Sequence, residues 1–150
     1  MIDNYGIDEL MKKVCKSISF TWKNDRLLME NDVNERSIAN KLAGYLQEEF
    51  PEWNVDSEYN RASHEVKRRA NETAFLPDII VHIRDTKKNL IMVEVKKTNG
   101  TYNDEEERLI ETTTKASYNY KLGVYVTFKV LDGSNEPPTV KFYSEGKEIK

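Results

Sequence analysis

Residues 76–97, LPDIIVHIRDTKKNLIMVEVKK, decide the fold that this sequence predicts. Two runs rich in β-branched and apolar residues, at 76–84 and 89–97, flank the polar turn DTKK, and this pattern predicts a β-hairpin. With the turn centred on DTKK, Asp78 lies opposite or diagonally next to Glu94, with Cβ atoms roughly 5–7 Å apart. The hairpin is therefore expected to bring two carboxylates together.

Alternation along the strands places these carboxylates and a lysine on one face of the hairpin. Glu94 and Lys96 share that face with Leu90 and Met92, whose side chains favour burial. Two facing carboxylates repel each other unless a cation lies between them, and oxygen ligands of this kind suit Mg²⁺ or Mn²⁺. Lys96 would stabilise developing negative charge and orient or deprotonate a water molecule. The alternative is a solvent-facing hairpin with a cross-strand ion pair, which does not explain the apolar residues on the same face as Asp78.

Three other segments are predicted to be helical. Residues 7–21 and 104–119 have apolar residues at helical spacing, and the acidic run that opens the second segment is accounted for by the helix macrodipole. Asp32 followed by Glu35 is a variant of the capping box, and it predicts a helix that ends at Pro51.

The remaining periodic segments are predicted strands at 53–60, 122–131 and 139–143, the last of them an edge strand. The order α-α-β-β-β-α-β-β predicts a single α/β domain over residues 1–150. We expect a central mixed sheet of four or five strands that is flanked by helices, with an extra N-terminal helix packed outside.

Composition limits the classes of function. The 150 residues include 23 basic and 26 acidic side chains, for a net charge of -3, whereas a small protein dedicated to nucleic-acid binding is usually basic. If this chain handles nucleic acid, it needs a local basic patch, metal ions or a partner. The one cysteine excludes an internal disulfide and a cysteine-based zinc site.

Hydropathy predicts a protein that does not enter the membrane. The longest apolar runs are too short to span a bilayer. The N-terminal sequence MIDNYGIDELMKK lacks the apolar core of a secretory signal peptide. We therefore expect a soluble, cytoplasmic protein.

The hairpin carries Pro77-Asp78, then fifteen residues, then Glu94-Val95-Lys96. In this motif the sequence resembles the PD-(D/E)XK, restriction-endonuclease-like nuclease superfamily. The resemblance extends over residues 32–130, where the predicted elements follow the αβββαβ order of the superfamily's core. The stretch NERSIANKLAGYLQEEFPEWNVDSEYNR is similar to small, uncharacterised prokaryotic and phage members.

The resemblance implies a Mg²⁺- or Mn²⁺-dependent deoxyribonuclease, an endonuclease in preference to an exonuclease. It implies that Asp78, Glu94 and the backbone carbonyl of Val95 bind the metal ion, and that Lys96 assists the attacking water. All four residues come from the two strands of the predicted hairpin.

Glu35 is a further expected site residue, because many members of the superfamily add an acidic residue from the first core helix to the metal site. It lies on the same helical face as Ile38 and Leu42. The capping box with Asp32 accounts for Glu35 equally well, and the two roles are compatible. Glu58, near the end of the first predicted strand, is a candidate for contacts around the site.

Five basic residues are candidates for contacts with nucleic acid. Lys67, Arg68 and Arg69 form the densest basic cluster and would contact phosphates from the loop before the hairpin. A solvated loop neutralised by nearby glutamates is an equally good account of this cluster. Arg61 and Lys97 complete the candidates, although Lys97 falls on the opposite face of its strand from the carboxylates.

Two other interpretations of the chain stay open. One is a non-catalytic module that binds nucleic acid or protein and keeps a nuclease-like fold, because fold alone does not fix function. The other is a nuclease subunit that stays silent until a homodimer or a partner protein supplies the grip on DNA.

Overall fold

The computed structural model describes residues 5–58, 76–100, 104–114 and 118–150. No helix within these ranges is long and apolar enough to cross a membrane. The elements in chain order are α1 (Ile7–Asn24), α2 (Arg26–Glu30), α3 (Glu35–Glu49), β1 (Asn54–Ser57), β2 (Ile79–His82), β3 (Asn89–Lys97), α4 (Glu105–Thr112), β4 (Leu122–Phe128), a 3-10 turn (Leu131–Asn135), β5 (Thr139–Ser144) and β6 (Lys147–Ile149).

The strands form one mixed sheet in the order β1-β2-β3-β4-β5-β6. Strands β3 and β4 run parallel, and every other neighbouring pair is antiparallel. The expected α/β class, with a mixed sheet flanked by helices, is confirmed. The expectation of four or five strands was wrong, because the described residues alone form a sheet of six, and β5 is not an edge strand because β6 pairs with it.

The β2–β3 hairpin has the predicted register. Ile79 pairs with Val93 and Ile80 with Met92, so the next position of each strand places Asp78 opposite Glu94. Nearer the turn, the register shifts by one residue after Val81. Leu90, expected on the same face as Met92, packs instead in the core of the other face.

The sheet separates two apolar cores of unequal size. The larger core lies between the sheet and the helices α1 and α3, and the smaller core lies under α4. Strand β3 is buried along nearly its whole length because helices cover both of its faces. The smaller core consists of Ile80, Met92, Leu109, Tyr120 and Tyr143, and from Met92 onward the even-numbered residues of β3 face α4.

Helix α3 begins differently from the prediction. Its N-cap is Asn34, whose Oδ1 accepts a 2.8 Å hydrogen bond from the backbone N–H of Ser37. The capping box proposed for Asp32 was therefore wrong, because Asn34 offers an equivalent acceptor closer to the first helical turn. Asp32 instead accepts a 2.9 Å hydrogen bond from the Nζ of Lys97 at the end of β3.

Helix α4 ends at Thr112, several residues before the predicted position. The hydroxyls of Thr112, Thr113 and Thr114 donate to carbonyl groups three or four residues earlier, which competes with continuation of the helix. The short helix α2 and the 3-10 turn were not predicted, because each is too short to show a hydrophobic period.

Candidate functional site

The candidate site lies where β2 begins and β3 ends, on the face of the sheet that α4 covers. The backbone N–H of Asp78 donates to Oε2 of Glu94 at 3.1 Å. In return, the backbone N–H of Val95 donates to Oδ2 of Asp78 at 2.7 Å. These reciprocal bonds hold the two carboxylates next to each other across the strand pair.

Burial makes this pair hard to ionise. Burial, followed by the negative charge of Asp78, raises the pKa of Glu94 to about 7, although Arg108 acts in the opposite direction. Burial and the charge of Glu35 raise the pKa of Asp78 to about 6, against the effect of the Val95 N–H. Both carboxyls therefore lie in surroundings that would favour an additional cation.

Asp56 on β1 shows how a carboxylate of the same sheet behaves when it has cationic neighbours. Burial raises the pKa of Asp56, but hydrogen bonds from Arg84 and His82 outweigh burial and lower the pKa overall. Asp78 accepts its hydrogen bond from a neutral backbone N–H instead. The contrast identifies a shortage of positive charge at Asp78 in addition to its burial.

Lys96 follows Glu94 by two residues and extends from the same face of β3. Only 8% of Lys96 is exposed, and its Nζ lies 2.7 Å from Oε2 of Glu105, which is also buried. Burial alone would lower the pKa of Lys96, but the hydrogen bond to Glu105 and the charge of Glu35 raise it. Lys96 is therefore a cation fixed beside the two carboxylates.

Arg108 on α4 is the second basic group of the site. Its Nη2 forms an ion pair with Oε1 of Glu94, and its Nη1 donates to Oδ1 of Asp104 at 2.9 Å. Arg108 was not predicted from the sequence. The helix macrodipole also accounts for only part of the acidic run at the start of α4, because Glu105 in that run binds Lys96. The signal was the spacing of three residues between Glu105 and Arg108, which puts both side chains on one face of α4.

Glu35 reaches the site from the start of α3, on the other side of the sheet. Its Oε2 accepts a 2.9 Å hydrogen bond from the backbone N–H of Lys97. Glu35 and Asp78 line a cleft of about 250 Å³, and Glu58 lies at the same cleft in an ion pair with Arg36. The expected proximity of Glu35 to the hairpin carboxylates is present, without the capping box.

Gly100 is a further residue that the sequence analysis did not identify. A Cβ atom added to Gly100 would lie 2.5 Å from Oε2 of Glu35 and 3.0 Å from Cδ of Lys96. Both distances are shorter than an ordinary van der Waals contact. Glycine at this position therefore lets two functional side chains approach the backbone of the loop after β3.

The predicted nucleic-acid contacts are only partly within the described ranges. Lys97 forms a 2.9 Å ion pair with Asp32, and its side chain is 16% exposed, so it would have to leave Asp32 to reach a phosphate. The other four candidates, Arg61, Lys67, Arg68 and Arg69, lie outside the described residues.

The donor set of the site fits a hard divalent cation in chemistry and in charge. Four carboxylates, those of Glu35, Asp78, Glu94 and Glu105, surround the two basic groups of Lys96 and Arg108. With Asp104, which also binds Arg108, the carboxylates outnumber the basic groups, and carboxylate oxygens are the ligands that Mg²⁺ prefers.

Geometry qualifies this fit. Within the described residues, no three His, Cys, Asp or Glu side chains are arranged to hold a metal ion. At the candidate site, Arg108 binds Oε1 of Glu94 and the N–H of Asp78 binds Oε2. A metal ion at Glu94 would therefore compete with these contacts, above all with the positive charge of Arg108.

A larger cavity, of about 510 Å³, opens at the opposite end of the sheet, between the β2–β3 turn and the start of β4. Lys87, Lys88 and Lys121 line it together with Trp53 and Tyr120. It contains neither Asp78 nor Glu94, so despite its larger volume it is separate from the candidate metal site.

Comparison of the chain with protein-family models, with curated proteins and with solved structures finds no match. The geometry around Asp78, Glu94 and Lys96 is therefore the basis for assigning a function.

Proposed function

We propose that this chain is a metal-dependent nuclease that hydrolyses phosphodiester bonds in DNA, with a PD-(D/E)XK core. The observation that carries the proposal is the buried pair of Asp78 and Glu94, joined by reciprocal backbone hydrogen bonds with Lys96 beside it. The element order from α3 to β4, a helix, three strands, a helix and a strand, supports the same assignment.

The metal ligands in this proposal are Asp78, Glu94 and the carbonyl of Val95, with Glu35 as the contribution of α3. Bound Mg²⁺ or Mn²⁺ would supply Lewis-acid polarisation of the phosphate and would make a water molecule more acidic. The protein supplies the fixed positions, because Asp78 and Glu94 are tied to each other's backbone. Such preorganisation avoids a cost of rearrangement during the reaction.

Lys96 acts in this proposal as a fixed positive charge and not as a general base. The 2.7 Å contact with Glu105 keeps Lys96 protonated, since its pKa is raised from an already alkaline value. A protonated ammonium stabilises the negative charge that develops on the phosphate and orients the attacking water. DNA as the substrate and endonucleolytic cleavage follow from the resemblance of the motif.

The second candidate function is a non-catalytic binding module. The observation that favours it is the internal neutralisation of the site, where Arg108 binds Glu94 and Glu105 binds Lys96. In a purely structural site these pairs would be permanent and no metal ion would enter. A measurement of metal binding therefore distinguishes the nuclease, which binds the ion, from the binding module, which does not.

The test of the proposal is cleavage of plasmid, single-stranded and branched DNA in Mg²⁺ or Mn²⁺. We expect the wild type to cleave at least one substrate, and chelation of the metal to abolish cleavage. Asp78→Asn and Lys96→Met should each lower the rate by about 100-fold or more, as expected when one fixed charge is removed from such a site.

Asp56→Asn is the matched control, because Asp56 is a carboxylate of the same sheet that Arg84 and His82 already neutralise. It should cleave at the wild-type rate once folding has been verified by circular dichroism. Absence of cleavage together with absence of Mn²⁺ binding by calorimetry would overturn the nuclease proposal and favour the binding module.

A further inference from the structure

Both oxygens of Glu94 are occupied in the structure. The backbone N–H of Asp78 binds Oε2, and the guanidinium of Arg108 binds Oε1. The first contact joins a backbone N–H at the start of β2 to the fully buried side chain of Glu94, which has little room to turn away. The second comes from a long side chain with several rotatable bonds, so Arg108 is the group that can leave.

Arg108 has a second acceptor within reach. Its Nη1 donates to Oδ1 of Asp104, one turn earlier on the same chain segment, at 2.9 Å. The side chain of Asp104 is 48% exposed, whereas that of Glu94 is fully buried. When Arg108 leaves Glu94 it therefore remains paired and moves toward solvent, which keeps the cost of the exchange low.

A cation on Glu94 is needed whether or not a metal ion is present. A buried carboxylate without a compensating charge is strongly destabilising. Glu94 is fully buried, next to a second carboxylate, and its pKa is raised by both effects. A guanidinium is the side chain best suited to this task, because it stays charged and forms directional hydrogen bonds with a carboxylate.

We infer that Arg108 is a built-in counter-ion that holds Glu94 in the metal-free protein and yields it to the divalent cation, turning toward Asp104. This inference rests on the proposed function, since it assumes that Glu94 is a metal ligand. It makes Arg108 a positioning residue that competes with the metal ion, so metal affinity is lower than the acidic donor set alone would give.

The test is calorimetric titration of Mn²⁺ into the wild type and Arg108→Met at about pH 8, where carboxyls with pKa values near neutrality are ionised. Methionine retains much of the apolar stem but cannot compete for Oε1. We expect Arg108→Met to bind Mn²⁺ about tenfold more tightly, which corresponds to about 1.4 kcal/mol.

Lys96→Met is the matched control, because it removes a positive charge from the same cluster without vacating an oxygen of Glu94. General electrostatic attraction would tighten both variants alike, whereas exchange at Glu94 tightens Arg108→Met more. Equal tightening in the two variants, or weaker binding by Arg108→Met, would overturn the inference while Mn²⁺ binding by the wild type upholds the metal site.

If Arg108→Met does not fold, a measurement on the wild type tests the same inference. The guanidinium Nε–Hε resonance of Arg108, assigned from its loss in Arg108→Lys, should shift when Mg²⁺ is added. An unchanged resonance at saturating Mg²⁺ would show that Arg108 stays on Glu94 and would contradict the exchange. If neither the wild type nor Arg108→Met binds Mn²⁺, the proposed metal site itself fails, and the inference fails with it.

Discussion

The Nζ of Lys96 lies 2.7 Å from Oε2 of Glu105, and both side chains are almost entirely buried. This contact joins the end of β3 to the first turn of α4. Because Glu105 holds the ammonium and raises its pKa, Lys96 lies near Asp78 as a cation in a defined position. The contact assigns Lys96 an electrostatic role in the proposed chemistry.

The first prediction concerns the alkaline limit of activity. In Glu105→Gln the ion pair is lost while a hydrogen-bond acceptor remains, so the pKa of Lys96 falls. The alkaline limb of the pH–rate profile should then move to lower pH by about one unit. Cleavage rates of the wild type and of Glu105→Gln, measured along the alkaline limb of the profile, check the shift.

Glu107→Gln is the control for this prediction, since Glu107 is an exposed glutamate of the same helix. Its profile should superimpose on that of the wild type. Alkaline limbs that coincide for Glu105→Gln and the wild type would mean that Lys96 does not need its charge.

The second prediction concerns stability in the absence of metal. The pKa values of Asp78 and Glu94 are raised in the folded protein, so the folded state binds more protons than the unfolded state. The contribution of these groups to stability is therefore complete only below their unfolded pKa values, at about pH 4, and is lost as the pH rises through the folded values of about 6 and 7. Between about pH 5.5 and 7.5 the two groups together should cost about 2 kcal/mol, or roughly 5 °C in Tm.

Thermal unfolding of the double variant Asp78→Asn/Glu94→Gln isolates this contribution, because both titrations are removed while every other group remains. The Tm of the variant should change less with pH than that of the wild type over the same range. Parallel curves would refute the raised pKa values. Saturating Mg²⁺ should flatten the wild-type curve as well, because a cation holds both carboxyls ionised.

The third prediction is that the site lowers the stability of the fold. Glu94 and Arg108 form a pair that is buried on the Glu94 side. Either Glu94→Met or Arg108→Met alone should destabilise the metal-free protein, by about 3–5 kcal/mol where a buried charge is left without its partner. The double variant should be as stable as the wild type or more stable by about 1–4 kcal/mol.

Urea unfolding of the wild type, the two single variants and the double variant measures the four free energies of unfolding. Cleavage assays on the same proteins measure their activity. The double variant should lose cleavage as Glu94→Met does, because both lack the proposed metal ligand. A double variant that is less stable than the wild type would contradict this prediction and show that the ion pair stabilises the fold.

The sequence predicted the carboxylates better than the groups that neutralise them. Strand β3 was predicted at its observed limits, and the turn fixed the register that sets Asp78 against Glu94. Both depend on local pattern. Arg108 was missed because the face of α4 that meets the sheet is set by tertiary packing, here that of Leu109 in the smaller core with Ile80.

The N-cap of α3 could not be predicted from the local motif alone. Asp32 and Asn34 both have side chains suited to capping, and the sequence offers no rule that chooses between them. The choice is made by Lys97, which lies 65 residues further along the chain and binds Asp32. Glu35 is thereby left to contact the backbone of β3 next to the site.

The last prediction is that a substitution at Gly100 lowers the cleavage rate much more than it lowers stability. A Cβ at this position would displace Oε2 of Glu35 and Cδ of Lys96, which belong to side chains that can move, and it would lie 3.2 Å from the backbone carbonyl oxygen of Lys97. Gly100→Ala should therefore change the free energy of unfolding by no more than about 1 kcal/mol. Misplacement of the two functional groups should nevertheless lower the cleavage rate by about tenfold or more.

Gly44→Ala is the matched substitution, because Gly44 lies within α3 and an added Cβ meets nothing within 4 Å. It should stabilise the protein by about 0.5–1 kcal/mol and leave cleavage unchanged. Urea unfolding and cleavage rates for the two alanine variants test both halves of the argument. Full activity in Gly100→Ala would mean that Glu35 and Lys96 need not approach the loop after β3, and it would remove Glu35 from the proposed metal site.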